Sequence, residues 1–188
     1  SLECPANAVK HLKIYITQSA DNLEVNDVAK VYYEKVTSAP ADWSGTYLIV
    51  CEEAGVALTG SGSNASSIKD GASVSISENK IDNSDAISVS VVKKSDSIYL
   101  IKTKSGYFIY STKSGAFSAT DTQSTVESYP ISFSFVDNKV LVTITGSEFT
   151  KYMSYYNSSN FGFYTTNPHT KADDNYVPIQ LYKRSENL

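Results

Sequence analysis

The residues of this chain best suited to binding chemistry are the aromatic and amide side chains between positions 152 and 164. Tyrosines and phenylalanines are interspersed there with asparagines, and two aspartates follow a few residues later. Aromatic faces flanked by amides and carboxylates bind sugars, because a sugar ring offers both C–H faces and paired hydroxyls. The sequence therefore predicts a shallow glycan site with Asp173 or Asp174 as a hydroxyl acceptor. Its other members are Tyr155, Tyr156, Asn157, Asn160 and Tyr164.

Packing offers a second explanation of the same aromatic residues. Half of the side chains of a strand face the core. Core or cross-strand packing therefore explains Phe161, Phe163 and either Tyr152 or Tyr155 without any ligand. The equivalent hairpins at 60–64 and 111–115 contain no aromatic residue, and this asymmetry motivates the glycan hypothesis. The two explanations differ in which rings are exposed, and both remain open at this point.

The sequence gives little support to catalytic or metal chemistry. Its two histidines, His11 and His169, are not near a cysteine or serine in a recognisable nucleophile setting. Adjacent carboxylates such as Glu52 and Glu53 point to opposite faces of a strand. Residues 169–174 contain possible ligands without the spacing of a known metal site. We therefore expect no enzyme activity, no metal and no cofactor.

The elements that carry these residues recur three times along the chain. Each unit consists of four short apolar segments separated by turns rich in glycine, serine and asparagine. The isoleucines of the fourth segment, Ile87, Ile131 and Ile179, recur at intervals of about 44 and 48 residues. Three units are too few for a propeller, which leaves a closed threefold barrel capped by hairpins. The pattern predicts an all-β chain that forms a β-trefoil of three four-stranded repeats.

Residues 1–42 do not fit this repeat. Alternation of apolar and polar residues predicts one strand around Ile14 and another over 29–36, where a helix from Asp27 is the alternative. We predict a short β appendage, or the tail of a preceding domain, over 1–42 and the trefoil over 43–188. The lone tryptophan, Trp43, stands at this junction and is predicted to cover the barrel end rather than to bind a ligand.

Charge and hydropathy limit the partners of the chain. Its formal net charge is −4, and its lysines are scattered rather than clustered, so we expect no nucleic acid partner. No apolar stretch approaches the roughly 18 residues of a membrane span. The two cysteines, Cys4 and Cys51, form either a disulfide or one exposed and one buried free thiol.

Several stretches resemble a repeat module found near the C-termini of secreted multidomain proteins of gut bacteria. The resemblance covers most of the chain and departs from the family at Cys51, where a tyrosine is usual. It implies an exported, non-catalytic accessory module, secreted or at the cell surface and monomeric within a larger chain. The stretches are 33–50, 105–109, 152–164 and 178–183.

These observations favour carbohydrate or surface-glycan binding as the function of the chain. Two alternatives of other classes stay open. The first is a protein-interaction or protease-inhibitor module that uses an exposed loop such as 62–70 or 164–176. The second is a structural spacer without a ligand.

Overall fold

The computed structural model describes residues 31–82, 84–170 and 173–186. This part of the chain is all-β, as predicted, and its strands pair antiparallel in one 15-stranded sheet. The strands are β1 (Val31–Lys35), β2 (Gly45–Cys51), β3 (Val56–Leu58), β4 (Gly71–Ser73), β5 (Lys80–Asp82), β6 (Val89–Ser95), β7 (Ile98–Thr103), β8 (Phe108–Tyr110), β9 (Ser118–Thr120), β10 (Ile131–Val136), β11 (Lys139–Gly146), β12 (Phe149–Tyr156), β13 (Asn160–Tyr164), β14 (Tyr176–Pro178) and β15 (Gln180–Glu186).

Helical structure in the described ranges is limited to single turns. The α-helical turns are α1 (Ala65–Ile68) and α2 (Gln123–Val126), and the 3-10 turns are Asp85–Ile87 and Pro168–Thr170. Asn64 caps α1, since its side chain accepts a hydrogen bond from the backbone N–H of Ser67. Ile68 at the end of α1 is buried, so the loop 62–70 is a folded turn anchored in the core. No helix of the described chain is long and apolar enough to cross a membrane.

One pairing pattern recurs three times in the sheet. The strands pair in succession as β2–β3–β4, β7–β8–β9 and β11–β12–β13. The hairpins β6–β7 and β10–β11 join one group to the next. Near the C-terminus, β15 pairs with β2, which brings the last strand against the first of these groups.

The core lies on both faces of β2, which explains why this strand is a continuous apolar run. Tyr47, Ile49 and Cys51 belong to the main cluster, whereas Leu48 and Val50 belong to a second cluster that includes Tyr33 of β1 and Tyr182 of β15. Burial raises the pKa of the Cys51 thiol. Cys51 is a buried free cysteine here, and Cys4 lies outside the described residues, so its state stays a prediction.

Trp43 is buried in the main cluster, which confirms the prediction that it does not stand free. Its side chain is 6% exposed, and its ring stacks on Phe133 with 5.3 Å between the ring centroids. Tyr99 packs its edge against the same phenylalanine. Three aromatic rings therefore close the entry to β2.

The segment before Trp43 is joined to the sheet. The predicted strand in 29–36 is confirmed as β1, which pairs with β15 on one side and with β5 on the other. Tyr33 of β1 is fully buried and donates its phenolic hydrogen to Asp85. The strand predicted around Ile14 lies outside the described residues.

Candidate functional site

The predicted site lies where β12 pairs with both β13 and β14. Met153 and Tyr155 of β12 face the main core cluster. Strand alternation therefore places Tyr152, Ser154 and Tyr156 on the opposite face. The registers set Tyr156 opposite Asn160 of β13 and Tyr176 of β14, so residues distant in sequence meet on this outer face.

Three half-buried tyrosines form a cluster on this face, which we call the tyrosine triad: Tyr156, Tyr164 and Tyr176. The ring centroids are 5.0 Å apart for Tyr156 and Tyr164, 4.9 Å for Tyr156 and Tyr176, and 5.3 Å for Tyr164 and Tyr176. Tilted and edge-on contacts at these separations are favourable for aromatic pairs. The triad is therefore a preformed aromatic surface whose rings hold one another in place.

Gly162 makes room for one ring of the triad. Tyr164 pairs with Tyr152 in the register, yet its ring reaches over Gly162 towards Tyr156. The Tyr164 hydroxyl donates to Oδ1 of Asn160 at 3.3 Å. Burial raises the pKa of Tyr164, so its phenol stays protonated and can donate at neutral pH. The sequence Asn160 to Tyr164 thus builds this half of the triad locally.

Replacing Gly162 with alanine is expected to displace the Tyr164 ring and to open the triad. A Cβ at position 162 would lie 2.7 Å from the Tyr164 phenolic oxygen, which is far inside normal contact distance. We expect a loss of about 1–3 kcal/mol in the free energy of unfolding, as for other overpacked sites. Denaturant unfolding and the near-ultraviolet circular dichroism of the tyrosines measure these two effects.

The control is the same substitution in a Tyr164→Ala background, where the clashing ring is absent. There Gly162→Ala should change the free energy of unfolding much less. An equal loss in both backgrounds would show that the ring over Gly162 is not the cause.

Ser154 is an unusual neighbour of the triad. It is fully buried, and its hydroxyl has no hydrogen-bond partner in the described part of the chain. In the register it lies between Gly162 and Pro178. An unsatisfied polar group thus lies beneath the aromatic surface.

A surface cavity of about 760 Å³ adjoins the triad and shares Tyr176 with it. Four carboxylates, one lysine and one histidine contribute to its wall. Asp173 accepts hydrogen bonds from the backbone N–H and the side-chain amide of Asn175, which shapes the turn before β14. The lining residues are Glu53, Asp137, Lys139, Pro168, His169, Asp173, Asp174, Tyr176, Val177 and Pro178.

His169 contributes a neutral ring to this cavity. Its Nε2 lies 3.3 Å from the backbone carbonyl oxygen of Val140. Burial, the largest cause, lowers the pKa of His169 below its ordinary value, so the ring is mostly neutral at pH 7. A neutral ring that carries its proton on Nε2 donates it to this carbonyl, so His169 adds no positive charge to the cavity.

The structure brings together most of the side chains predicted for the site. Tyr156, Tyr164 and Asn160 meet at the triad, and Asp173 and Asp174 line the adjoining cavity. Asn157 is exposed in the β12–β13 turn with a φ of 49°, a left-handed conformation that asparagine tolerates. Its backbone N–H donates to the carbonyl oxygen of Asn175, which ties this turn to the cavity wall.

Tyr155 was predicted as a site residue, but it lies in the core. Its side chain is 6% exposed and belongs to the main core cluster, with its ring centroid 4.9 Å from that of Phe161. Alternation along β12 explains this, because neighbours in a strand point to opposite faces. Packing thus accounts for Tyr155 and Phe161, whereas the rings of the triad are partly exposed.

The glycan site predicted from the sequence did not include Tyr176 or the residues that other loops bring to the cavity. Glu53 follows β2, and Asp137 and Lys139 belong to the β10–β11 hairpin. Only the sheet register places them beside Asp174. The pairing of β12 with β14 could have been suspected from the apolar run that begins at Tyr176.

No model of a protein family matches the chain, and no curated protein matches it. The function of the site is therefore inferred from its geometry. Among the described residues, no three histidine, cysteine, aspartate or glutamate side chains are placed to hold a metal ion.

Proposed function

We propose that this chain is a non-catalytic carbohydrate-binding module. One observation carries the proposal: a partly exposed tyrosine triad adjoins a carboxylate-lined cavity, and Tyr176 belongs to both. Aromatic rings can stack on the C–H face of a sugar while carboxylates accept hydrogen bonds from its hydroxyls. The cavity volume lies in the ordinary range of small-ligand sites, roughly 300–1,000 Å³.

The proposal includes a β-trefoil architecture with three four-stranded repeats. Its repeats are β2, β3, β4 and β6, then β7 to β10, then β11, β12, β13 and β15. Three recurring successions of antiparallel pairs and the contact of β15 with β2 support it. In this arrangement β1, β5 and β14 are additions, and β14 supplies Tyr176 to the site.

The cellular setting is part of the same proposal. The chain is an accessory module of a larger exported bacterial protein, secreted or at the cell surface, and is monomeric within it. This rests on the resemblance of its repeat stretches to such modules. The formal net charge of −4 and the acidic cavity support a partner other than nucleic acid.

A glycan array with the wild-type protein and Tyr176→Ala tests the proposed function. We expect the wild type to retain a defined set of glycans. The variant should bind them about twofold to tenfold more weakly, because an aromatic contact contributes about 0.5–1.5 kcal/mol.

Tyr129→Ala is the matched control for this experiment. Tyr129 is also half-buried and packs on two other rings, Tyr110 and Phe149, but it does not belong to the triad or line the cavity. It should leave glycan binding unchanged. Absence of any retained glycan would favour the protein-interaction or spacer alternatives, and equal losses in both variants would remove the site from the proposal.

A further inference from the structure

The carboxylates of the cavity, unlike several other acidic groups of the described residues, lack a cationic partner. Within the described residues, none of Glu53, Asp137, Asp173 and Asp174 forms an ion pair. By contrast, five acidic side chains elsewhere lie within 4 Å of a lysine or arginine nitrogen. Those five are Glu52, Asp85, Asp96, Glu127 and Glu148.

The described lining of the cavity therefore carries an excess of negative charge. Lys139 is its one cationic side chain among the described lining residues, and His169 is mostly neutral at pH 7. Carboxylates that converge on a cavity produce a negative potential, since the protein wall limits screening by water. An acidic sugar would be repelled there, and a positively charged group would be attracted.

The hydrogen-bonding groups of the cavity also favour a positively charged ligand. Ionised carboxylates only accept hydrogen bonds, and an ammonium group only donates them. The ring of Tyr176 offers a face that attracts cations as well as C–H groups. These features together fit a ligand with several donors and a positive charge.

We infer that the cavity takes a sugar that bears a free, protonated amine, in preference to its neutral N-acetylated form, and that it rejects acidic sugars. The inference rests on the proposed carbohydrate-binding function and specifies its ligand class. Asp137 and Asp174 approach the cavity from different loops and serve as the amine acceptors. Asp173 is already engaged with Asn175.

Asp137→Asn combined with Asp174→Asn removes two of the four charges with little change in shape. Asp137 has a φ of 49°, and asparagine tolerates this left-handed conformation as well as aspartate does. The matched control is Glu78→Gln combined with Asp121→Asn, neither of which has an ion pair among the described residues. Both of these residues are exposed and neither lines the cavity, so the control makes the same change in net charge elsewhere.

Isothermal titration calorimetry with three tetrasaccharides tests the inference. The probes are the β-1,4-linked tetramer of glucosamine, the same tetramer fully N-acetylated, and tetragalacturonate. The titration is run at about pH 6, where the free amine of glucosamine is protonated. We expect the amine tetramer to bind about fivefold to tenfold more tightly than the N-acetylated one, as for one or two partly screened ion pairs. Tetragalacturonate should not bind.

The cavity variant should lose this preference, and the control variant should keep it. Equal affinities of the wild type for the amine and N-acetylated tetramers would overturn the inference and leave the proposed function standing. An equal loss of the preference for the amine tetramer in both double variants would also overturn the inference, because the attraction would then come from net charge alone. If none of the three probes binds, the inference falls, and the glycan array decides separately on the proposed function.

Discussion

Replacing Trp43 with alanine is expected to lower the free energy of unfolding by about 3–5 kcal/mol, the range found for removal of large aromatic side chains from cores. The indole is 6% exposed, stacks on Phe133 and lies in the main core cluster. Its removal leaves Phe133 without its stacking partner. The melting temperature should fall by about 10 °C, since 1 kcal/mol corresponds to about 2–4 °C in a protein of this size.

Denaturant unfolding followed by far-ultraviolet circular dichroism is the suitable measurement, because Trp43 is also the only tryptophan fluorophore of the chain. Trp43→Phe is the control. It retains a ring that can stack on Phe133 and should recover much of the lost free energy. A loss below about 1 kcal/mol for Trp43→Ala would show that the ring covers the core without stabilising it.

Tyr155 and Tyr156 are adjacent in sequence, yet their alanine variants are expected to lose very different amounts of the free energy of unfolding. Tyr155→Ala should lower the free energy of unfolding by about 3–5 kcal/mol, because it empties a core position packed against Phe161. Tyr156→Ala should lower it by only about 1–2 kcal/mol, since it removes contacts with two partly exposed rings. Thermal and denaturant unfolding of the two variants measure the contrast.

Glycan binding should show the opposite order. Tyr156→Ala should weaken it, whereas Tyr155→Phe, which retains the core ring, should keep both binding and stability within about 1.5 kcal/mol of wild type. If Tyr156→Ala destabilised the protein as much as Tyr155→Ala, the triad would be part of the core rather than a surface for a ligand.

The proposed site depends on elements outside the three recurring groups of paired strands. β14 pairs with β12 and places Tyr176 4.9 Å from Tyr156, and the turn before it carries Asp173 and Asp174. β1 similarly contributes Tyr33 to the second core cluster, which contains Leu48 and Val50 of β2. β14 and β1 therefore add part of the proposed ligand surface and part of the packing.

The limits of sequence reasoning are visible at Ile87. Its spacing placed it inside a predicted fourth strand of the first unit, over 86–92, yet Asp85–Ile87 is a 3-10 turn and β6 begins at Val89. The Ser88 hydroxyl donates to the carbonyl oxygen of Asp85, and this local bond competes with strand pairing. Periodicity predicts that an element exists, but side-chain hydrogen bonds at its ends decide where it begins.

The sequence by itself determined the all-β class, the recurrence of strand units, the burial of Trp43 and the density of aromatic and amide groups near β13. These features follow from alternation and turn residues, which act over a few neighbours along the chain. Only the tertiary structure decided that Tyr155 faces the core, that Tyr176 completes the triad, and that Glu53 and Asp137 share a cavity with Asp174. The physical reason is register, because a strand's pairing partner sets which of its faces is buried and which distant loops it meets.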